Sequence, residues 1–200
     1  MIVYLDLDRT IFKTDENSQS KLILQKISEL YPELDVTQLE KDTTTFHATV
    51  GDLYYWDLGR QLNSYGLDAE EVFTELANSE LADGRLEFEG ASSLVSSLQT
   101  AGADVRVLTF GADDYQRFKA ALCPSLRGLP VTTTLLPKSE LFEDSDEECW
   151  LVDDKPIGDE LPGNVSFVQV SLEGETYDQL DWPVFYSLVD VKEFFDDVMH

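Results

Sequence analysis

The chain has 200 residues, 40 of them acidic and 14 basic, for a net charge of −26. A surface this acidic lacks the basic footprint that nucleic acid or an anionic membrane requires, so neither is an expected partner, whereas high solubility and a basic protein partner are compatible with it. Hydrophobic residues make up 42%, enough for a buried core in one domain, with or without a sizeable insertion.

The first expected element is a strand over Ile2–Leu5, four consecutive apolar residues of the kind covered on both faces of a parallel sheet. Residues 18–31 show helical spacing at Leu22, Ile23, Ile27 and Leu30, and Pro32 stops that helix. Residues 50–65 again read as a helix, with Leu53, Trp56 and Leu62 as candidate buried positions and Gly66 as the stop. A third helix is expected over 68–82, with Asp68 as its N-cap and Glu71 three places on. No strand is expected in this block. Beyond residue 86 the character changes. Gly90 precedes a helix that presents Leu94, Val95 and Leu98 on one face. A strand over 104–110, a helix over 112–122 and strands over 131–136, 149–154 and 165–170 follow, with a last helix over 189–199. Strands alternating with helices predict an α/β fold with a parallel sheet. The first strand stands apart from the others, which fits a helical insertion after it.

Cys123 and Cys149 form no CxxC pair, and Cys149 lies in the apolar run CWLV, so a buried reduced thiol is expected there. No stretch approaches the roughly 18 apolar residues of a membrane helix. Asp6 and Asp8 interrupt the N-terminal apolar run too soon for a signal peptide, so a cytoplasmic protein is expected.

Charged groups at strand ends carry the chemistry. Asp6 and Asp8 follow the first strand, Thr109 lies near the end of 104–110, and Asp153 and Asp154 end the run CWLV. In parallel sheets, ligands bind beyond the carboxyl ends of the strands, so one crevice can collect these residues. Two acidic pairs from separate strands can hold one divalent cation, and Mg²⁺ suits hard oxygens while leaving room for phosphate. Lys138 adds positive charge, and Thr109 offers a hydroxyl and a backbone amide to phosphate. These parts serve phosphoryl transfer. The bland alternative for each acidic pair is a solvated turn. His47 suits a surface role, Tyr54, Tyr55 and Trp56 cannot all share one helix face, and His200 is terminal.

Four segments in order, VYLDLDRT (3–10), VLTFG (107–111), Lys138 and WLVDDKP (150–156), resemble the motifs of the haloacid dehalogenase-like (HAD) hydrolase superfamily. The resemblance implies a Rossmann-like three-layer core over 1–12 and 86–200 and a small all-helical cap over 13–85. It implies that Asp6 is the nucleophile and a metal ligand. Asp8 would act as general acid and then base, its backbone carbonyl binding the metal. Thr109 would hold phosphoryl oxygens with Gly111 beside it, Lys138 would neutralise charge, Asp153 would bind Mg²⁺ directly, and Asp154 would coordinate it or support its water shell. An acid two residues after the nucleophile marks the phosphatase branch rather than the dehalogenases. The implied activity is Mg²⁺-dependent hydrolysis of a small phosphorylated metabolite through an aspartyl-phosphate. A phosphotransferase or mutase is the nearest alternative, and a non-catalytic binding or regulatory protein a further one. Two positions depart from the pattern. Arg9 stands where glycine is usual, either reaching an anionic substrate or pairing with a nearby acid. Lys155 is the alternative to Lys138 for the third motif.

Overall fold

In a computed structural model, which describes residues 1–14, 19–51, 53–143, 147–174 and 180–199, the chain forms a six-stranded sheet with an insert after its first strand. Ser18 and Asp52, which fall in the expected helices over 18–31 and 50–65, and His200 lie outside the described residues. Strand β1 (Ile2–Leu5) leads into a tight turn in which the Leu7 carbonyl accepts from the amides of Thr10, Ile11 and Phe12. The chain then enters the insert and returns beside its own exit: Lys13 donates to the Leu86 carbonyl and Phe88 to that of Ile11.

The insert contains α1 (Gln19–Leu30), α2 (Val36–Asp42), strands β2 (His47–Val50) and β3 (Leu53–Trp56), then α3 (Leu58–Ser64) and α4 (Ala69–Ala77). It is therefore not all helical. Where helical spacing predicts one helix over 50–65, the chain makes an antiparallel hairpin pairing Val50 with Leu53 and His47 with Trp56. Gly51 turns it at φ +58°, a conformation that suits glycine, and β-branched and aromatic residues fill both strands. Asp57 then caps α3 by accepting from the Arg60 amide, and Asp68 caps α4 through the amides of Glu70 and Glu71. Trp56 donates to Gln61, which donates in turn to the Leu39 carbonyl, so one buried amide ties the hairpin to α2 and α3.

After the insert come α5 (Ala91–Thr100), β4 (Asp104–Phe110), α6 (Asp113–Ala121), β5 (Val131–Thr134), β6 (Cys149–Asp153), β7 (Val165–Val170), β8 (Val184–Phe185) and α7 (Leu188–Val198). The sheet is parallel throughout, in the order β5-β4-β1-β6-β7-β8. Leu5 pairs with Val107 on one side and with Val152 on the other, so the carboxyl ends of β1, β4 and β6 lie abreast. β8, at the far edge, is a two-residue strand with no signal in the sequence pattern.

Alternate strand residues face two cores. Val3, Leu5, Val105, Val107 and Val152 pack with α5, α6, α7 and the insert, while Ile2, Leu108, Leu151 and Phe167 face the opposite side. That second layer is thin: Phe142, Ile157, Leu161 and Trp182 cover it from loops and 3-10 turns. The larger core is continuous between sheet and insert. Phe73 of α4 stacks on Phe118 of α6 at 4.8 Å with 11° between the rings, and Tyr115 joins them. Phe73→Leu is expected to lower stability by about 1–2 kcal/mol through lost ring contacts. Because one core spans both parts, a single lowered thermal transition is expected in calorimetry; a second, separate transition would show that the insert unfolds alone. Among the described residues no helix is long and apolar enough to cross a membrane.

Candidate active site

The first carboxylate of the site is Asp6, only 5% exposed at the end of β1. Its amide donates to the Val152 carbonyl, which extends the ladder one residue past the strand. Lys138, in a 3-10 turn after Pro137, places Nζ 2.5 Å from Asp6 Oδ1 and 2.5 Å from Asp153 Oδ2. Lys138, not Lys155, therefore faces the first aspartate. Lys155 instead donates its amide to Asp153 Oδ1 at 2.9 Å and holds its Nζ 5.8 Å from the Phe110 ring.

Asp6, Asp153 and Asp154 each bring a carboxylate oxygen within 4.8 Å of the others. These are hard oxygen donors of the kind a divalent cation prefers; the Lys138 ammonium engages Oδ1 of Asp6 and Oδ2 of Asp153, and Asp6 Oδ2 accepts from the Thr10 hydroxyl at 3.4 Å. The donor set fits Mg²⁺. The electrostatics agree. Burial, then Asp6 and Asp153, push the Asp154 carboxyl up to about 8 against the opposing pull of Arg9 and Lys155. Burial likewise pushes Asp6 up to about 6, with Asp153 and Asp8 adding to it and Lys138 opposing.

Both groups hold their protons more tightly folded than unfolded. Their contribution to stability is thus full below the ordinary carboxylate range and is lost as pH rises to about 6 for Asp6 and about 8 for Asp154. A cation needs the ionised carboxylates, so Mg²⁺ is expected to raise Tm more at pH 8 than at pH 6. Melting curves with Mg²⁺ and with chelator at both values test this; an equal or smaller shift at pH 8 would contradict it.

Arg9 keeps the conformation that glycine would adopt. Its φ of +61° is the only positive value at a non-glycine among the described residues. Its guanidinium meets Glu173 at 2.8 Å and Asp154 at 3.6 Å, at the rim of the carboxylate cluster. Asp8 sits apart from that cluster. Lys119 of α6 reaches both its oxygens, and Gln116 donates to Oδ2 at 3.2 Å.

Thr109 is buried at the end of β4, and its hydroxyl donates to Gln116 Oε1 at 3.1 Å. Gly111 does not offer its amide to a ligand, because that N–H donates to the Thr134 carbonyl. Its role is space: a Cβ there would stand 2.4 Å from Gln116 Nε2, and its φ is +139°. Lys119 and Gln116, which contact Asp8 and in the case of Gln116 also Thr109, are not part of any motif in the sequence. Above the site, Tyr55 of the hairpin meets Phe110 edge-on at 5.9 Å, while His47 is exposed and lies against Tyr54.

No protein-family model and no curated protein match the sequence. Solved structures do. A protein of Burkholderia xenovorans described as a haloacid dehalogenase-like hydrolase is similar at TM-score 0.61 and 18% identity, over 96% of this chain and 97% of that one. A HAD phosphatase of Thermococcus onnurineus is similar at TM-score 0.61 and 16% identity, over 97% of each chain. A HAD hydrolase of Bacillus subtilis bound to magnesium is similar at TM-score 0.50 and 17% identity, over 98% of each. With the parallel sheet, the insert after β1 and the carboxylates gathered at the ends of β1 and β6, these likenesses show that the chain has the haloacid dehalogenase-like fold.

Proposed function

We propose that the protein is a Mg²⁺-dependent phosphatase that hydrolyses a small phosphoester through an aspartyl-phosphate on Asp6. The observation that carries this reading is the grouping of Asp6, Asp153 and Asp154, the first two buried and bridged by the Lys138 ammonium, with a fourth carboxylate, Asp8, held separately two residues from Asp6. Structural ion pairs rarely need four buried or half-buried acids, and phosphoryl transfer uses them all. The phosphatase from Thermococcus and the magnesium-bound hydrolase from Bacillus support the activity and the metal by analogy.

Asp6, Asp153, Asp154 and the Asp8 backbone carbonyl would hold Mg²⁺, which when bound draws charge from the transferring phosphoryl oxygens. Asp6 attacks phosphorus with a carboxylate oxygen while the bond to the leaving oxygen breaks. Asp8 gives that oxygen a proton. It then takes a proton from the water that attacks the aspartyl-phosphate, so phosphate leaves and Asp6 is regenerated. Lys138 holds Asp6 in place and offsets charge on the phosphoryl group. Tyr55, edge-on to Phe110, would shield the leaving group from water. Phosphate release from an aryl phosphate and a metabolite panel, with Mg²⁺ and with chelator, tests the reading. Release that needs Mg²⁺ is expected. Transfer to an alcohol acceptor without free phosphate would make the protein a phosphotransferase.

A further inference from the structure

Lys119 is buried at 4% exposure on a core helix, and the mechanism above gives it no task. Lysines are almost never this buried without a partner that needs them. Its Nζ lies 2.5 Å from both Asp8 oxygens, 4.9 Å from the Tyr115 ring and 5.9 Å from that of Phe12. Three residues earlier on the same helix face, Gln116 donates to Asp8 Oδ2 and, at 2.7 Å, to the Phe110 carbonyl, and accepts from Thr109. The missing side chain of Gly111 makes room for this amide. Tyr115 packs against Phe73 and Trp56, so the helix face that carries the clamp is braced by the insert.

We propose that Lys119, assisted by Gln116, is the positioning residue for Asp8. The proposal rests on the phosphatase reading for its kinetic consequences. A carboxylate oxygen has two lone pairs. Oδ2 receives Lys119 and Gln116 and is saturated, while Oδ1 receives Lys119 alone. Oδ1 is therefore the oxygen that passes the proton: to the leaving oxygen as the bond from phosphorus breaks, and later from the attacking water. A clamp of this kind matters most where proton delivery limits the rate, as with alkyl leaving groups, and least for the first turnover of a nitrophenyl ester.

The test combines Lys119→Met, Asp8→Asn and the double variant in a kinetic cycle on an alkyl phosphate and p-nitrophenyl phosphate. Lys119→Met is expected to lower kcat on the alkyl ester about 100-fold, within the range of general acid–base catalysis, with KM little changed. The nitrophenol burst should survive, followed by slow turnover, because aspartyl-phosphate hydrolysis also needs Asp8. Lys119→Arg, which keeps the charge and a two-point contact, should recover part of the alkyl rate. In the Asp8→Asn background Lys119→Met should add nothing. Equal losses on both esters in the first turnover, or a further loss without Asp8, would overturn the proposal. If Lys119→Met does not fold, Gln116→Met, which removes one of the two donors to Oδ2 and leaves the ammonium in place, should show the same ester-selective loss on a smaller scale. A readout without turnover separates the two claims: the ¹³C carboxyl resonance of Asp8 should move in Lys119→Met. An unmoved resonance overturns the clamp. A moved resonance in Lys119→Met, together with a wild-type protein that hydrolyses neither ester, keeps the clamp and overturns the phosphatase reading.

Discussion

Asp6→Asn is expected to reduce phosphate release at least about a thousandfold, the scale on which losing a nucleophile is felt. The amide has nearly the shape of the carboxylate but is a poor nucleophile for phosphorus. The fold should survive. Lys138 keeps Asp153 as a partner, and one of several crowded negative charges is gone. Burial and Asp153 already push the Asp6 carboxyl upward, so its ionised form is disfavoured in the folded chain. Tm of the metal-free variant should accordingly equal or exceed that of wild type at pH 8, while the Mg²⁺-induced rise in Tm shrinks. Steady-state kinetics beside melting curves check both parts. A variant that keeps a tenth of wild-type kcat would place the nucleophile elsewhere.

Lys138→Met combines the second large effect on activity with the largest on stability. Lys138 is 9% exposed, and its ammonium bridges Asp6 and Asp153. Burial alone would lower its pKa, but the two carboxylates outweigh burial and raise it above the usual lysine value. A raised lysine pKa gives a contribution that is complete below about 10.5 and persists through neutral pH. Removing the cation strands the carboxylates, and breaking a buried pair costs about 3–5 kcal/mol, a fall in Tm of roughly 10 °C for a chain of this size. The fall should be larger at pH 8 than at pH 6, where Asp6 and Asp154 can take up protons, and Mg²⁺ should restore part of it. Turnover should drop about a hundredfold or more, as when one donor to a developing oxyanion is lost. A Tm within 2 °C of wild type would show that the bridge holds little of the fold.

The sheet was legible because its central strands carry apolar residues toward both faces. IVYL and CWLV are continuous apolar runs, DVRVLTF and VSFVQV interleave apolar with polar residues, and the strands they form occupy Ile2–Leu5, Cys149–Asp153, Asp104–Phe110 and Val165–Val170. The hairpin was not. Leu53, Trp56 and Leu62 fit helical spacing, yet Leu53 and Trp56 lie on a strand only four residues long. The competing signal was Gly51-Asp52 between His-Ala-Thr-Val and Leu-Tyr-Tyr-Trp, a two-residue turn flanked by β-prone residues. In the site, Asp6, Asp153 and Asp154 were visible as charges ending apolar strands, where only a ligand or partner repays burial. Gln116 and Lys119 were hidden because they sit three apart within DDYQRFKAAL, where polar residues read as the solvent face of an amphipathic helix. Their burial arises only when Asp8, more than a hundred residues away, supplies the partner. Arg9 shows the converse case: the turn keeps a left-handed residue without glycine, which sequence pattern alone does not reveal.

The most direct measurement is acid-quenched trapping of the protein during turnover of p-nitrophenyl phosphate with Mg²⁺, followed by peptide mass spectrometry. A phosphoryl adduct on Asp6, absent with chelator and absent in Asp6→Asn, is the expected result. Nitrophenol release with no adduct on Asp6, or with one on another residue, would contradict nucleophilic catalysis by Asp6.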